Sequence, residues 1–474
     1  MIGKPYKPHA YQKHAIEFLI SRGCAGLFLD PGLGKTSIVL AAFKILRSTH
    51  KVNKMLVVAP LRPAYSTWPG EVRKWAAFND LKVVVLHGPK KEELIKEDAD
   101  IYVINPEGLP WLVRHIPRAS PREPWPWEML VIDESTKFKH TNTDRFATLK
   151  PILPEFKRRV ILTGSPAPNG YLDLFGQIYI LDLGNCLGRY ITHYRDQWFM
   201  NPGNGKFDKY VWVPKHGSEV AIQKKLKPLV LRMSAEDYLD LPPYIPNTVE
   251  VDLPAKAMRQ YRQMETALIA ALESGEVITA ANAAASTTKC RQIANGGLYH
   301  EAEGRGPQRH TDLHMEKVEA TAEIVESLQG KPALIAYEYE HDLKRLLLKF
   351  GKDTPVIGGG VSAKRFREIE EEWNEGRIPI LLAQPQSVAH GLNLQGTGAA
   401  VIWHSLTYNL ETYEQFIRRV WRQGQRERVG VHHIVARGTV DEAIMKALEK
   451  KDRTQKDLLT ALKDHLKVGK RRAA

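Results

Sequence analysis

The residues with the clearest potential chemistry form a glycine-rich turn near the N-terminus, Leu27-Phe28-Leu29-Asp30-Pro31-Gly32-Leu33-Gly34-Lys35-Thr36. An apolar strand leads into this turn, and a helix is expected to begin near Thr36. Backbone N–H groups of such a turn can surround the phosphates of ATP. Lys35 would contact the β- and γ-phosphates, and the Thr36 hydroxyl would bind Mg²⁺. The predicted ATP-binding residues are Gly32, Leu33, Gly34, Lys35, Thr36 and Ser37. A tight turn before a helix is the alternative interpretation.

Two acidic residues follow a second apolar strand, in the segment Leu130-Val131-Ile132-Asp133-Glu134-Ser135. Asp133 at the strand end can hold Mg²⁺, commonly through water. Glu134 can orient and deprotonate a water molecule that attacks the γ-phosphate. An acid pair after a strand also occurs as a solvated turn, but its combination with Lys35 favours ATP hydrolysis.

Two further segments add hydroxyl and guanidinium groups. The turn Thr163-Gly164-Ser165-Pro166 follows another strand, and its hydroxyl groups could hydrogen-bond the acid pair; by itself it is an ordinary turn. On a predicted helix beginning near Gln415, Arg419 and Arg422 are three residues apart and share a face. Arginine can neutralise the charge that builds on a γ-phosphate during hydrolysis. A solvent-exposed basic helix is the alternative.

The composition is that of a water-soluble protein with an excess of positive charge. The 474 residues include 68 Lys and Arg against 54 Asp and Glu, which gives a formal net charge of +14. This surplus favours a polyanionic partner such as nucleic acid. Cys24, Cys186 and Cys290 are far apart and form no pair with metal-ligand spacing. No apolar leader or membrane-spanning run is recognised, so we expect a cytoplasmic protein that does not interact with a membrane.

Short apolar strands alternate with helical patterns in two regions, which is typical of parallel α/β sheets. The predicted strands are residues 26–29, 55–59, 83–86, 101–104, 130–132 and 159–162 in the first region and 333–337, 355–357, 380–383, 400–403 and 430–435 in the second. Strand signals fade between about 170 and 316, where helical patterns and Pro/Gly-rich stretches dominate. We therefore predict a first lobe at 1–190, a helical insertion and linker at 191–316, a second lobe at 317–462 and a basic tail at 463–474.

The order of the motifs resembles that of superfamily two helicases, and more narrowly that of the Swi/Snf-type DNA-translocating ATPases. The resemblance runs from about Tyr11 to Leu448. In addition to the segments above it includes Gln12, residues 57–68, 104–108, 229–232, 289–295 and 390–394, and Lys317. It implies an α/β fold with two RecA-like parallel-sheet lobes, and ATP and Mg²⁺ as cofactors.

The resemblance also implies roles for individual residues. Gln12 would contact the adenine, and Asp133 and Glu134 would act on the metal and the water. Arg419 and Arg422 would be arginine fingers of the second lobe. Coupling or nucleic-acid contact is implied for Pro60, Arg62, Asn105, Thr163, Ser165, Ser387, Gly391 and Gln415.

The chain departs from the family pattern in three respects. Leu29 stands where a strict phosphate loop has glycine, a position that helicases commonly relax. The acid motif continues as Ser135-Thr136 and lacks the usual histidine, so its coupling to other segments is expected to differ. The middle region is short and shows no accessory module. These features favour a compact phage or bacterial translocase over a nucleosome remodeller.

We therefore expect an ATP-dependent translocase that grips double-stranded DNA through its backbone phosphates, with salt-sensitive and largely sequence-independent binding. A strand-separating DNA or RNA helicase on the same fold is one alternative. A nucleotide-gated nucleic-acid clamp with little turnover is another, and the motor subunit of a restriction-type complex is a third. The pair Trp68 and Trp75, seven residues apart on a predicted helix, is expected to pack in the core rather than to stack on bases.

Overall fold

A computed structural model describes residues 3–116, 123–167, 170–201, 212–238, 242–273, 280–300, 309–388, 393–394, 399–422, 425 and 427–449. The chain divides into two compact units, Met1–Asp240 and Leu241–Ala474. The predicted basic tail at 463–474 lies outside the described residues.

The first unit is built on a parallel sheet. The strands of this sheet are β1 (Cys24–Leu29), β2 (Met55–Val58), β3 (Val83–Val85), β4 (Ile101–Ile104), β5 (Met129–Asp133), β6 (Arg158–Thr163) and β9 (Val230–Met233). Strands β7 (Phe199–Met200) and β8 (Val213–Pro214) form a separate antiparallel pair. Over the described residues the sheet order is β3-β4-β2-β5-β6-β1-β9. Because β6 lies between β5 and β1, the loops that follow these three parallel strands meet at one edge of the sheet.

Helices cover both faces of this sheet. Their bounds are α1 (Ala10–Ser21), α2 (Lys35–Ser48), α3 (Leu61–Tyr65), α4 (Thr67–Lys74), α5 (Lys91–Leu94), α6 (Leu109–Arg114), α7 (Asp144–Leu149), α8 (Leu174–Asp182), α9 (Ile191–Trp198), α10 (Ser218–Leu226) and α11 (Ala235–Tyr238). The interior strand β2 is apolar at every position: Val57 contributes to one buried cluster, while Leu56 and Val58 contribute to the cluster on the opposite face. Burial on both faces explains why this strand reads as a continuous apolar run.

The second unit has its own parallel sheet and an antiparallel hairpin, β11–β12. Its strands are β10 (Ile245–Val251), β11 (Gly297–Tyr299), β12 (His310–Asp312), β13 (Ala333–Ala336), β14 (Val356–Ile357), β15 (Ile380–Ala383), β16 (Ala400–Trp403) and β17 (Gly430–Ala436). Its helices are α12 (Ala255–Glu273), α13 (Ala280–Asn295), α14 (Glu316–Ser327), α15 (Glu340–Phe350), α16 (Ala363–Asn374), α17 (Pro385–Val388), α18 (Leu410–Ile417) and α19 (Val440–Glu449). In the part of the chain that the structure describes, the sheet order is β10-β17-β16-β13-β15-β14.

The predicted fold class, an α/β protein with two parallel-sheet lobes, is confirmed. The middle stretch contributes one strand to each sheet: β9 pairs with β1, and β10 pairs with β17. The boundary between the two compact units lies at 240/241 along the chain. The lobe boundaries that the sequence pattern placed at 190 and 316 stay predictions. The pattern missed these edge strands because Arg232 interrupts the apolar run of β9 and because β10 is largely exposed.

No helix in the described part of the chain is long and apolar enough to cross a lipid bilayer.

Candidate functional site

The glycine-rich turn joins β1 to the 14-residue helix α2, which begins at Lys35. Gly32 and Gly34 have φ angles of 93° and 77°, in the left-handed region that glycine adopts without strain. A Cβ atom on Gly34 would lie only 2.6 Å from Nε2 of Gln12. The N–H groups at the start of α2 have no carbonyl partner within the helix, so the turn and the helix together can bind an anionic group.

The side chains around this turn brace its backbone. Nζ of Lys35 donates to the carbonyl oxygen of Leu29 at 2.7 Å. The buried Ser37 donates from Oγ to the carbonyl oxygen of Gly34 at 2.9 Å. Thr36, at the second residue of α2, is half-buried. The predicted phosphate-loop residues therefore lie together between β1 and α2.

Gln12 lies against the same turn, although it is far away in the sequence. Its side chain is 5% exposed, and Nε2 donates to the carbonyl oxygen of Leu33 at 3.3 Å. Its Oε1 accepts a hydrogen bond from the backbone N–H of His9 at 3.0 Å. These two bonds hold the amide beside the phosphate loop; its contact with adenine stays a prediction.

The acid pair lies at the carboxyl end of β5, as the sequence predicts. Asp133 is buried, and its Oδ2 accepts a hydrogen bond from Nε1 of the fully buried Trp68 at 3.1 Å. Glu134 has φ 53° and ψ 60°, a left-handed conformation that is uncommon for any residue other than glycine. Its Oε2 is buried and has no hydrogen-bond partner among the described residues.

The electrostatic environment of Asp133 favours a cation. Burial, together with the neighbouring carboxylate of Glu134, raises the pKa of Asp133 to about 6. The Trp68 N–H and the ammonium group of Lys35 act in the opposite direction, which places Lys35 within electrostatic reach of the acid pair. A buried carboxylate with a half-buried carboxylate beside it favours the binding of positive charge.

The loop after β6 lies beside the phosphate loop. A Cβ atom on Gly164 would lie 3.0 Å from Cδ of Pro31, so the two loops are in close contact. Oγ1 of the buried Thr163 accepts a hydrogen bond from the backbone N–H of Ser165 at 3.1 Å, which fixes the local turn. The side-chain amide of Gln177 in α8 hydrogen-bonds both Pro166 of this loop and Ser135, which follows the acid pair.

The arginine segment lies in the second unit and differs from the prediction in one respect. Helix α18 ends at Ile417, so Arg419 and Arg422 lie in the turns that follow it rather than on the helix. Both guanidinium groups nevertheless act on Glu370 of α16, where they oppose the rise in the carboxyl pKa that burial causes. Gln415 is buried and donates from Nε2 to Oε1 of Glu411 at 3.1 Å.

The candidate coupling and nucleic-acid contacts of the first unit lie at the carboxyl edge of its sheet. Pro60 and Arg62 follow β2, and Asn105 follows the neighbouring strand β4. Burial lowers the pKa of Arg62, which is half-buried in α3. Asn105 donates from Nδ2 to Oε2 of Glu107 at 2.9 Å.

In the second unit, Ser387 lies in α17 and donates from Oγ to Oε1 of Gln384 at 3.3 Å. Gly391 lies outside the described residues.

Sequence reasoning missed several polar contacts that hold the site. Trp68 was expected only to pack in the core, where it does lie, but it also donates to Asp133. The carboxylate of Asp30 in the phosphate loop accepts a hydrogen bond from the backbone N–H of Ala235 in α11 at 3.0 Å. Glu370 and Gln177 lie in helices with no recognised motif. The hydrogen bonds of Trp68 to Asp133, of Ala235 to Asp30 and of Ser135 to Gln177 join residues more than 40 positions apart, and no local spacing could have indicated them.

The family follows from comparison with known proteins. Residues 11–298 match the SNF2-related domain, and residues 316–424 match the helicase conserved C-terminal domain. The chain belongs to the SNF2-related family of helicase-type ATPases, and it is a nucleic-acid-dependent ATPase, as the order of its motifs predicts.

Individual relatives differ in length. Protein p41 of Acyrthosiphon pisum secondary endosymbiont phage 1 is 35% identical, over 97% of this chain and 99% of that protein. "Uncharacterized ATP-dependent helicase MG018" of Mycoplasma genitalium is 24% identical, over 95% of this chain and 42% of that protein. The chain therefore spans less than half the length of that helicase. The solved SWI2/SNF2 ATPase core of Sulfolobus solfataricus in complex with dsDNA is 22% identical, covers 95% of this chain and 93% of that chain, and has a TM-score of 0.45.

Proposed function

We propose that this protein is an ATP-driven motor that moves along double-stranded DNA without separating its strands. The observation that carries the proposal is the assembly of the phosphate loop, Gln12 and the acid pair at one edge of the first sheet. Family membership supports nucleic-acid-dependent ATP hydrolysis. Movement along a duplex is the part of the proposal that goes beyond family membership.

The residues present fit ATP and Mg²⁺. The left-handed Gly34 and the start of α2 form a cradle for phosphate, and a side chain on Gly34 would collide with the side chain of Gln12. The unpartnered Oε2 of Glu134 and the raised pKa of Asp133 indicate a site built for positive charge and a water molecule. Thr36 and Asp133 would hold Mg²⁺, which neutralises charge on the phosphates when it is bound.

The remaining steps belong to side chains of this chain. Lys35 stabilises charge on the β- and γ-phosphates, and Gln12 selects the base. Glu134 accepts a proton from the attacking water, because its Oε2 has no other partner among the residues described. Arg419 and Arg422 supply the positive charge that stabilises the transition state.

Positive charge also supports the choice of partner. The net charge of +14 favours attraction to phosphate backbones. The proposal assigns nucleic-acid contact to Pro60, Arg62 and Asn105, because all three lie at the edge of the sheet that carries the nucleotide site. Contacts of this kind position a duplex without reading its sequence.

The proposal is tested by steady-state ATP hydrolysis at low salt with duplex DNA, single-stranded DNA or RNA. We expect duplex DNA to stimulate turnover most. Equal or greater stimulation by single strands or RNA would instead indicate a strand-separating helicase. Binding of nucleic acid without turnover would indicate a nucleotide-gated clamp.

A further inference from the structure

A fully buried amide in α8, that of Gln177, lies outside every motif of the sequence. Its Oε1 accepts a hydrogen bond from the hydroxyl of Ser135 at 2.7 Å. Its Nε2 donates to the carbonyl oxygens of Pro166 at 2.6 Å and Asp173 at 2.8 Å. Both ends of the amide therefore have partners, as a buried amide requires.

The partners of this amide belong to two different segments of the candidate site. Ser135 directly follows the acid pair and begins the 3₁₀ turn Ser135–Phe138. Pro166 lies in the loop after β6, which contacts the phosphate loop at Pro31. Gln177 thus joins the segment that carries the catalytic carboxylates to the loop that contacts the phosphate-binding turn.

The backbone of α8 lies very close to the acid-pair turn. A Cβ atom on Gly176 would lie 2.3 Å from the carbonyl oxygen of Phe138 and 2.9 Å from that of Lys139. Nζ of Lys139 also forms an ion pair with Oδ2 of Asp173 at 3.2 Å. With these contacts on either side, α8 and the turn hold the amide of Gln177 in a fixed position.

We propose that Gln177 is a positioning residue that couples movement of the acid-pair turn to the loop at 163–166 during ATP turnover. The inference rests on the proposed function, because it requires Asp133 and Glu134 to act on ATP. Loss of the γ-phosphate changes the charge beside these carboxylates, and Ser135 is bonded to Glu134 in the chain. A displacement of Ser135 must either move Gln177 and Pro166 or leave a polar atom unpaired in a dry interior, which is unfavourable. The acid motif of this chain lacks the family's usual histidine, so its coupling to other segments is expected to differ. The hydrogen bond between Ser135 and Gln177 provides this coupling instead.

The first variant is Gln177→Leu, which has a similar volume and removes all three hydrogen bonds. At saturating duplex DNA, kcat is expected to fall by about tenfold while KM for ATP changes by less than about twofold, because the loss affects alignment rather than binding. Stimulation by DNA is expected to fall more than basal turnover. Gln177→Glu keeps an acceptor for Ser135 but places an oxygen atom against the carbonyl oxygens of Pro166 and Asp173, so it is also expected to lose stimulation.

A double-mutant cycle with Ser135→Ala separates coupling from packing. Because Ser135 acts through its hydrogen bond to Gln177, which Gln177→Leu already removes, Ser135→Ala combined with Gln177→Leu is expected to be no slower than Gln177→Leu alone. Gln223 of α10 is the matched control: it is exposed and donates to the hydroxyl of Tyr171 away from the acid pair. Gln223→Leu is expected to match the wild type.

Three results would overturn the coupling role: a lower melting temperature with unchanged kcat, additive effects in the cycle, or equal losses of basal and stimulated turnover. If Gln177→Leu does not fold, Ser135→Ala alone is compared with the wild type. A larger loss of stimulated than of basal turnover supports the coupling role, and equal losses or an unchanged kcat overturn it. Failure of the proposed function is distinguishable, because the wild type itself would then show no stimulation by duplex DNA.

Discussion

Gly34 and Glu134, like Gly32, hold backbone conformations that most residues avoid. Gly34 adopts φ 77° directly before α2, and its missing side chain leaves room for Gln12. Glu134 adopts φ 53° directly after the buried strand β5. Left-handed geometry in a residue with a side chain costs on the order of 1 kcal/mol and is often found at functional sites. The position of Glu134 is therefore consistent with selection for its carboxylate rather than for stability.

Lys35→Ala is expected to abolish ATP turnover. The substitution removes the ammonium group that lies within electrostatic reach of Asp133 and beside the phosphate loop. The measurement is steady-state phosphate release with duplex DNA. Lys44→Ala, on the same helix but in a partly exposed ion pair with Asp80, is the matched control and is expected to retain activity. Turnover by Lys35→Ala at the wild-type rate would contradict the assignment of the nucleotide site.

Arg422→Ala is expected to leave the dissociation constant for ATP nearly unchanged and to lower kcat by about 10³-fold, as arginine fingers do. Equilibrium binding of a fluorescent ATP analogue and single-turnover hydrolysis measure the two quantities separately. Arg367→Ala, an exposed change in α16, serves as the control. Equal losses of binding and turnover would mean that Arg422 is structural.

At the scale of elements, strand order rather than sequence spacing assembles the candidate site. The phosphate loop, the acid pair and the loop after β6 follow three adjacent strands, so their side chains meet although up to about 130 residues separate them. The sequence predicted these three segments and the strands before them, because apolar runs that end in glycine, acid or hydroxyl residues are local patterns. It did not predict Trp68 on Asp133 or Gln177 on Ser135, because these contacts depend on how helices pack on the sheet.

Gly176→Ala is expected to destabilise the first unit by about 1–3 kcal/mol, because its methyl group would overlap the carbonyl oxygen of Phe138. Chemical denaturation measures this change. Gly70→Ala in α4 is the matched helical control, since no atom lies within 4 Å of a Cβ there. It is expected to be neutral or to stabilise by about 0.5–1 kcal/mol. Equal stability of the two variants would show that α8 can move away from the turn.

A buried ion pair joins two helices of the second unit. Lys317 in α14 is fully buried, and its Nζ lies 2.6 Å from Oδ2 of Asp441 in α19. The same Nζ donates to Oδ1 of Asn295 in α13 at 2.8 Å. Lys317→Met is expected to cost about 3–5 kcal/mol, because it leaves a buried carboxylate without its cation. Denaturation of the second unit measures the loss. Lys317→Met with Asp441→Leu should recover part of it. Lys331→Met, in an exposed pair with Glu427, should cost less than about 1 kcal/mol. Similar losses of stability for Lys317→Met and Lys331→Met would contradict a stabilising role for the buried pair of Lys317 and Asp441.

At the scale of the whole molecule, the net charge of +14 favours phosphate recognition without base specificity. The affinity for duplex DNA is therefore expected to fall linearly with salt concentration on logarithmic axes, by about 0.9 decades per decade for each phosphate contact. Fluorescence anisotropy on two duplexes of unrelated sequence measures this slope. Different affinities for the two sequences, or no dependence on salt, would contradict backbone recognition.

The proposed movement along double-stranded DNA is tested most directly by displacement of a triplex-forming oligonucleotide from a duplex. The account predicts that the protein displaces the third strand only when ATP is hydrolysed, and that the underlying duplex stays paired. Glu134→Gln, which removes the proposed base, should bind the duplex without displacing the third strand. Rapid ATP hydrolysis with the third strand still in place, or separation of the duplex itself, would contradict the account.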